Sequence, residues 1–169
     1  MLPDYDLQLR VVIKALEEVV APAVDPENQL AVEQLRLSLA TLGMVRDRVP
    51  FVEKCARKEL GHALALAAQL RDEAPENEAD SLGPLIDEAH EALGSVNGDA
   101  QGLDRIRKAL LSAVSSAIDT ADPARVLQIS KAGIAQTKPQ IELQRAWCAP
   151  SGFEPDISTI ASLEDLLDN

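Results

Sequence analysis

Apolar residues recur every three or four positions along most of this chain, the spacing that places them on one face of an α-helix. The clearest such stripe consists of Val32, Leu35, Leu39, Leu42 and Val45. The apolar residues are chiefly Leu, Val, Ile and Ala, and only four residues are aromatic. Sustained alternation of apolar and polar residues, which is typical of strands, is missing from the sequence. The pattern therefore predicts an all-α protein.

Proline, glycine and capping residues divide this pattern into separate helices. We predict helices over about 4–20, 25–49, 50–73, 81–93, 101–121 and 123–148, and a short amphipathic element over 157–167. Asp25 and Asp122 each precede a proline, and an N-cap followed by proline at the first helical position starts many helices. A turn is expected over 74–77. Pro139 lies inside the sixth helix and is expected to kink or split it.

Short connections and single apolar faces predict how these helices assemble. The expected fold is an antiparallel up-and-down helical bundle of about five to six helices with a short C-terminal helical tail. Residues 1–149 are assigned to the bundle domain, and residues 150–169 to an acidic amphipathic tail. Half of the apolar stripe of the third helix is alanine, so a neighbouring helix is expected to approach it closely.

The charged residues exclude several classes of partner. The net charge is −12, and the segments 72–104 and 146–169 contain acids but no Lys or Arg. Such a charge opposes binding to nucleic-acid phosphates and to anionic membrane surfaces. No apolar run reaches the ~20 residues of a membrane span, and the N-terminus lacks a signal-peptide pattern. Cys55 and Cys148 lie far apart in the sequence, which favours two reduced thiols. We therefore expect a cytoplasmic protein that binds neither nucleic acid nor a membrane.

Each of the two histidines follows an acid by three positions. The pairs are Glu59 with His62 and Asp87 with His90. Residues three apart share a helix face, and two such pairs with two further acids form the dimetal carboxylate, di-iron-like sites of some bundles. The further acids would come from Glu17, Glu18 and Glu33. One alternative is therefore a metal-binding bundle enzyme that uses iron, manganese or zinc, although Asp87 is shorter than Glu and the two helices are consecutive.

Cys55 shares a helix face with Glu59 and His62, as a catalytic thiol would with its base. A nucleophilic site also needs an oxyanion donor and an orienting partner, which the spacing does not supply. Free cysteine commonly behaves as a small core residue. We assign no catalytic residue, and the sequence favours a non-catalytic protein without a cofactor.

The densest group of basic residues surrounds Pro50, near the predicted start of the third helix. It consists of Arg46, Arg48, Lys54, Arg57 and Lys58. Backbone N–H groups at a helix start also attract anions. A second alternative is therefore a bundle that binds a small apolar or anionic ligand there, and the protein's own acidic segments are another possible occupant.

The C-terminal tail carries the features of a contact surface. Ile160, Leu163 and Leu167 form an apolar edge with acids beside it, and Trp147 and Phe153 flank the junction with the bundle. Amphipathic helices and aromatic anchors are common at protein interfaces. The favoured function is therefore protein–protein contact with a partner or with a second copy, as a homodimer, while docking of the tail on its own bundle is the competing arrangement.

Overall fold

The computed structural model describes residues 4–72, 82–96, 98–121, 123–151 and 154–168. All regular structure in this part of the chain is helical, which confirms the predicted all-α class. The α-helices are α1 (Tyr5–Ala15), α2 (Gln29–Arg48), α3 (Val52–Asp72), α4 (Gly83–Gly94), α5 (Ala100–Thr120), α6 (Pro123–Cys148) and α7 (Leu163–Asp168). A π-helical turn, Leu16–Val20, extends α1, and 3-10 turns occur at Ala21–Ala23, Val49–Phe51, Ala149–Ser151 and Ile157–Thr159.

Contacts group the chain into two compact units. The first comprises Met1–Phe51 and Trp147–Ile157, and the second comprises Val52–Ala146 and Ser158–Asn169. The domain boundary predicted between residues 149 and 150 stays a prediction, because compact units defined by contacts do not establish domains. In the described residues, no helix combines the length and the hydropathy that crossing a bilayer requires.

The first unit is built on α1 and α2, which pack against each other. Asp4 caps α1, because its carboxylate accepts a hydrogen bond of 2.9 Å from the N–H of Leu7. Asn28 caps α2 in the same way, accepting from the N–H of Ala31 at 3.1 Å. The prediction that α2 starts at Asp25 is wrong, because the Asp25 carboxylate accepts from Glu27 two residues on and closes a turn instead.

The second unit contains the core of the protein. Helix α3 packs against α4 and α5. Of its predicted apolar stripe, Leu60, Ala63, Ala67 and Leu70 are buried, while Ala56 is half-buried and Val52 is exposed. The buried residues meet apolar residues from the facing helices: Ile86, Ala89, Leu103, Leu110 and Val114. The alanines allow the close approach of helices that the sequence suggested.

Helix α6 runs from Pro123 to Cys148 without the split that Pro139 was expected to cause. The proline removes one backbone hydrogen bond, at about 3 kcal/mol, and its ring is exposed at the edge of a cleft that Lys58 and Leu166 also line. The helical turns on both sides continue. Three further predictions lie outside the described residues: the turn over 74–77, a helix start at Ser81 and the cap at Asp122.

Candidate interaction surfaces

Helices α1 and α2 present much of their apolar surface to solvent. Within residues 4–51, all of which the structure describes, no side chain is buried. The large hydrophobic residues exposed there are Tyr5, Leu7, Val11, Val12, Val19, Val20, Leu30, Val32, Leu37, Val45 and Val49. Isolated apolar residues on a surface need no explanation, whereas large contiguous apolar patches often mark interaction sites.

Helix α2 is apolar on two opposite sides. Leu35, Leu39 and Leu42 form an inner stripe and are half-buried, whereas Leu30 and Leu37 are exposed. Residues two apart on a helix point about 200° away from each other. The exposed residues therefore lie on the side opposite the inner stripe, and we call the set Leu30, Gln34, Leu37, Thr41 and Met44 the outer stripe.

Electrostatic contacts indicate that the inner stripe faces α1. Arg46 follows Leu42 by four residues and so continues this stripe. The pKa of Arg46 is raised, mainly by its hydrogen bond with Asp47 and to a lesser extent by the charges of Asp6 and Glu17. Asp6 lies on α1 and Glu17 on the π-helical turn that extends it. Because α1 packs against α2 and the inner stripe is the half-buried side of α2, the outer stripe is directed away from α1.

The C-terminal end of the outer stripe is covered by the segment 147–151 of the same unit. The hydroxyl of Ser151 donates a hydrogen bond to the sulfur of Met44 at 3.2 Å. The Arg48 guanidinium donates to the carbonyl of Trp147 at 3.0 Å and lies 6.0 Å from its ring centroid. Trp147, a predicted interface residue, thus anchors its own chain to α2, while Phe153 lies outside the described residues.

A second exposed apolar stripe lies on α6, in the second unit. Leu127, Ile134 and Ile141 are spaced seven residues apart and expose 58%, 71% and 47% of their surface. Lys131 and Lys138 lie between them at the heptad positions that complete the stripe, and both are exposed. Positive charge therefore alternates with apolar residues along this surface.

The five basic residues predicted to bind an anion have partners within the chain or line a cleft. Arg46 and Arg48 belong to the first unit, and the other three belong to the second. Arg46 pairs with Asp47 at 2.8 Å. Lys54 pairs with Asp168 of the tail at 2.7 Å. Lys58 lines the clefts beside His62.

Arg57 ties α3 to the end of α4. Its guanidinium donates to the carbonyl of Leu93 at 3.1 Å and to that of Ser95 at 2.7 Å, and its Nε donates to Glu53 at 3.0 Å. Carbonyls at the end of a helix lack intrahelical partners, so a cation is favourable there. A Cβ at position 98 would lie only 2.8 Å from a terminal nitrogen of this guanidinium, so a side chain there would displace it.

The tail is divided between the two units, and its residues from Ser158 onwards belong to the second. Helix α7 packs against α3, Leu163 is buried with 6% of its surface exposed, and Ile160 and Leu167 are half-buried. Leu163 therefore packs inside its own chain instead of on a partner. The acidic tail thus meets a basic residue of α3 within one chain, through Asp168 and Lys54.

His62 lies where three clefts of the second unit meet. The two more enclosed clefts measure about 190 Å³ and about 140 Å³. Its Nδ1 is buried without a hydrogen-bond partner among the described residues. Burial, and secondarily the charge of Lys58, lower the pKa of the imidazole, while Glu59 opposes this shift. The ring is therefore held in its neutral form.

The structure does not bring the four predicted metal ligands together. Glu59 lies 3.5 Å from the guanidinium of Arg107, and Asp87 and His90 are exposed on α4. Among the described residues, no group of three or more His, Cys, Asp or Glu side chains is placed to hold a metal ion. Cys55 is buried in α3, the environment expected of a core cysteine.

No protein-family model matches this chain, and neither a curated protein nor a solved structure gives a significant match. The features that bear on function are therefore those of the molecule itself. They are the exposed apolar surface of α1 and α2, the apolar and basic stripe of α6, and the clefts around His62.

Proposed function

We propose that this protein is non-catalytic and acts through protein–protein contacts made by α1 and α2, and that the partner is a second copy of the chain. One observation carries the proposal: within the described residues 4–51 no side chain is buried, although eleven large apolar residues there expose 40% or more of their surface. Two helices alone cannot bury more than one face of each other.

The exposed area is large enough for a stable dimer. Eleven side chains of this size and exposure offer on the order of 1,000 Å², and a stable interface takes about 800 Å² from each partner. Burying one such side chain contributes ~1.5–3 kcal/mol. Two copies of a helical hairpin also combine readily into a four-helix arrangement with two-fold symmetry.

Charge supports a protein partner rather than a nucleic acid or a membrane. The net charge of −12 opposes phosphate groups and anionic lipids. We place the protein in the cytoplasm, because neither Cys55 nor Cys148 forms a disulfide and reduced cysteines are usual there.

Light scattering of the purified full-length chain tests the proposal. We expect a particle of twice the chain mass of 18.2 kDa. A variant with Val12→Asp and Leu37→Asp places one charge on each helix of the first unit, and it should be monomeric. Val96→Asp is the matched control, because Val96 is 90% exposed in a loop of the second unit. A wild-type chain that stays monomeric at the highest attainable concentration would refute the homodimer.

A further inference from the structure

The outer stripe of α2 follows the spacing of a coiled-coil seam. Its residues are separated by steps of four, three, four and three positions: Leu30, Gln34, Leu37, Thr41 and Met44. These steps assign Leu30, Leu37 and Met44 to one heptad position and Gln34 and Thr41 to the other. The first four residues are exposed, and only Met44 is half-buried. Residues 30–41 therefore carry the seam pattern, and the seam side chains there are exposed to solvent.

The exposed seam residues of α2 are expected to pack against another helix. The inner stripe of α2 is occupied by α1, so α2 is apolar on opposite sides, and helices of that kind are normally buried on both. Within the described residues, the outer side is covered only at its C-terminal end, where Ser151 contacts Met44. The remaining length, from Leu30 to Thr41, spans about 16 Å of helix.

The charge pattern fits a second copy as the occupant. The outer stripe is uncharged from Leu30 to Met44, so two copies can meet there without bringing like charges together or burying an ion. The stripe on α6 differs, because Lys131 and Lys138 occupy its alternate positions. Pairing α6 with itself would place lysines on facing helices, whereas α2 is self-complementary.

The covered end of the stripe selects the orientation. In a parallel pair, the ends covered by 147–151 would lie side by side and crowd each other. In an antiparallel pair, the open run of one copy lies along the open run of the other, with Leu30 facing Thr41 and Gln34 facing Leu37 of the second copy. Each layer then combines the two heptad positions, and the two Gln34 amides lie next to the axis, where they can hydrogen-bond.

We infer that two copies of this chain pair antiparallel through the outer stripe of α2, about a two-fold axis between Gln34 and Leu37. The inference rests on the homodimer proposed above and specifies its contact. A polar residue at a seam position commonly fixes register, so Gln34 has a defined role in this arrangement.

Disulfide trapping tests this register in the full-length chain with Cys148→Ser, while the buried Cys55 is kept. A double variant, Leu30→Cys with Thr41→Cys, should form a covalent dimer under mild oxidation. These two positions lie too far apart on one helix to pair within a chain. Neither single variant should cross-link in an antiparallel pair. The variant Val96→Cys, in an exposed loop of the second unit, measures how much cross-linking arises from random collision.

The outcomes separate this inference from the proposed function. A covalent dimer from Leu30→Cys alone would indicate parallel pairing and overturn the inference. A dimer mass by light scattering, with no cross-linking of the double variant above the Val96→Cys level, would place the interface elsewhere and leave the homodimer standing. A monomeric wild type would remove both. Leu37→Ser should raise the dimer dissociation constant about a hundredfold or more, since both copies lose the contact.

Discussion

Arg57 is the residue whose removal should affect the second unit most sharply on electrostatic grounds. Its half-buried guanidinium bonds two backbone carbonyls at the end of α4 and the carboxylate of Glu53. Hydrogen bonds from a charged group contribute ~1.5–3 kcal/mol, so Arg57→Met should reduce the free energy of unfolding by about 2 kcal/mol. Urea titration followed by circular dichroism measures the loss.

Arg36 provides the matched control for Arg57. It forms a similar pair with Glu33, at 2.8 Å, but on the exposed surface of α2. Exposed ion pairs contribute ~0–1 kcal/mol, so Arg36→Met should leave the urea midpoint nearly unchanged. Equal losses for the two variants would show that the carbonyl contacts of Arg57 do not stabilise the end of α4.

His62 should make stability depend on pH. Its pKa is lowered in the folded chain, mainly by burial and then by Lys58. Protonation therefore favours the unfolded chain, whose histidine titrates near its ordinary value of about 6.5. The stabilisation is complete above that pH and is lost as the pH falls from it towards the lower folded pKa.

Thermal unfolding between about pH 7.5 and pH 5, the interval spanning the ordinary pKa, measures this effect. His62→Gln should flatten the decline in melting temperature across the interval. His90→Gln is the control, because His90 is exposed on α4, and it should retain the wild-type slope. A wild-type slope in His62→Gln would mean that other groups cause the acid sensitivity.

The residue patterns predicted burial in α3 but not in α2, whose predicted stripe has no buried side chain, and they predicted partners poorly. The spacing of Leu60, Ala63, Ala67 and Leu70 fixed which side of α3 is buried, because burial follows helix periodicity. The role of Arg57 was missed, since its acceptors are backbone carbonyls 36 and 38 residues away, which no local spacing reveals.

At the scale of elements, α7 should be held by apolar contact rather than by its charges. Leu163 is 6% exposed, whereas Lys54 and Asp168 form a pair whose side chains are 55% and 65% exposed. Leu163→Ala should therefore reduce the free energy of unfolding by ~2–3 kcal/mol. Lys54→Met should change it by less than about 0.5 kcal/mol.

Hydrogen exchange resolves where that loss occurs. Amides of α7 should exchange faster in Leu163→Ala than in Lys54→Met, because only the first change removes the contact that holds the helix on α3. A short helix is not stable by itself. Rapid exchange of α7 in Lys54→Met alone would instead assign the docking to the ion pair.

Element boundaries followed from the sequence wherever a local cap or stop decides them. Asp4 and Pro50 mark helix ends within one or two residues of those observed. The helix start predicted at Asp25 is wrong because Asn28 caps α2 instead, by accepting a hydrogen bond from the N–H of Ala31. Pro139 does not split α6, because the cost of one missing hydrogen bond is local and the helix continues to Leu143 and Ala146, which are buried.

At the scale of the whole molecule, the two units differ in how they achieve stability. The second unit buries its own core, while the described residues 4–51 of the first unit bury no side chain. The first unit is richer in apolar residues than the second, so composition alone does not reveal this difference. Which apolar stripes meet within a chain depends on contacts between helices that are distant in sequence.

This difference predicts that the first unit unfolds in a concentration-dependent way. If α2 is covered by a second copy, mass action stabilises the dimer by roughly 2.7 kcal/mol for a hundredfold rise in protein concentration. Hydrogen exchange should therefore slow in α1 and α2 as the concentration rises. Exchange in α3 and α5, whose apolar faces are buried within the chain, should stay constant.

A variant with Leu30→Ser and Leu37→Ser provides the comparison that isolates the dimer contact. It removes the two exposed leucines of the outer stripe without changing the core of the second unit. Its α2 amides should exchange as fast at high concentration as the wild type does when dilute, because nothing then covers the stripe. Concentration-dependent protection that persists in this variant would assign self-association to another surface, and the basic, apolar stripe of α6 would then be the surface to test.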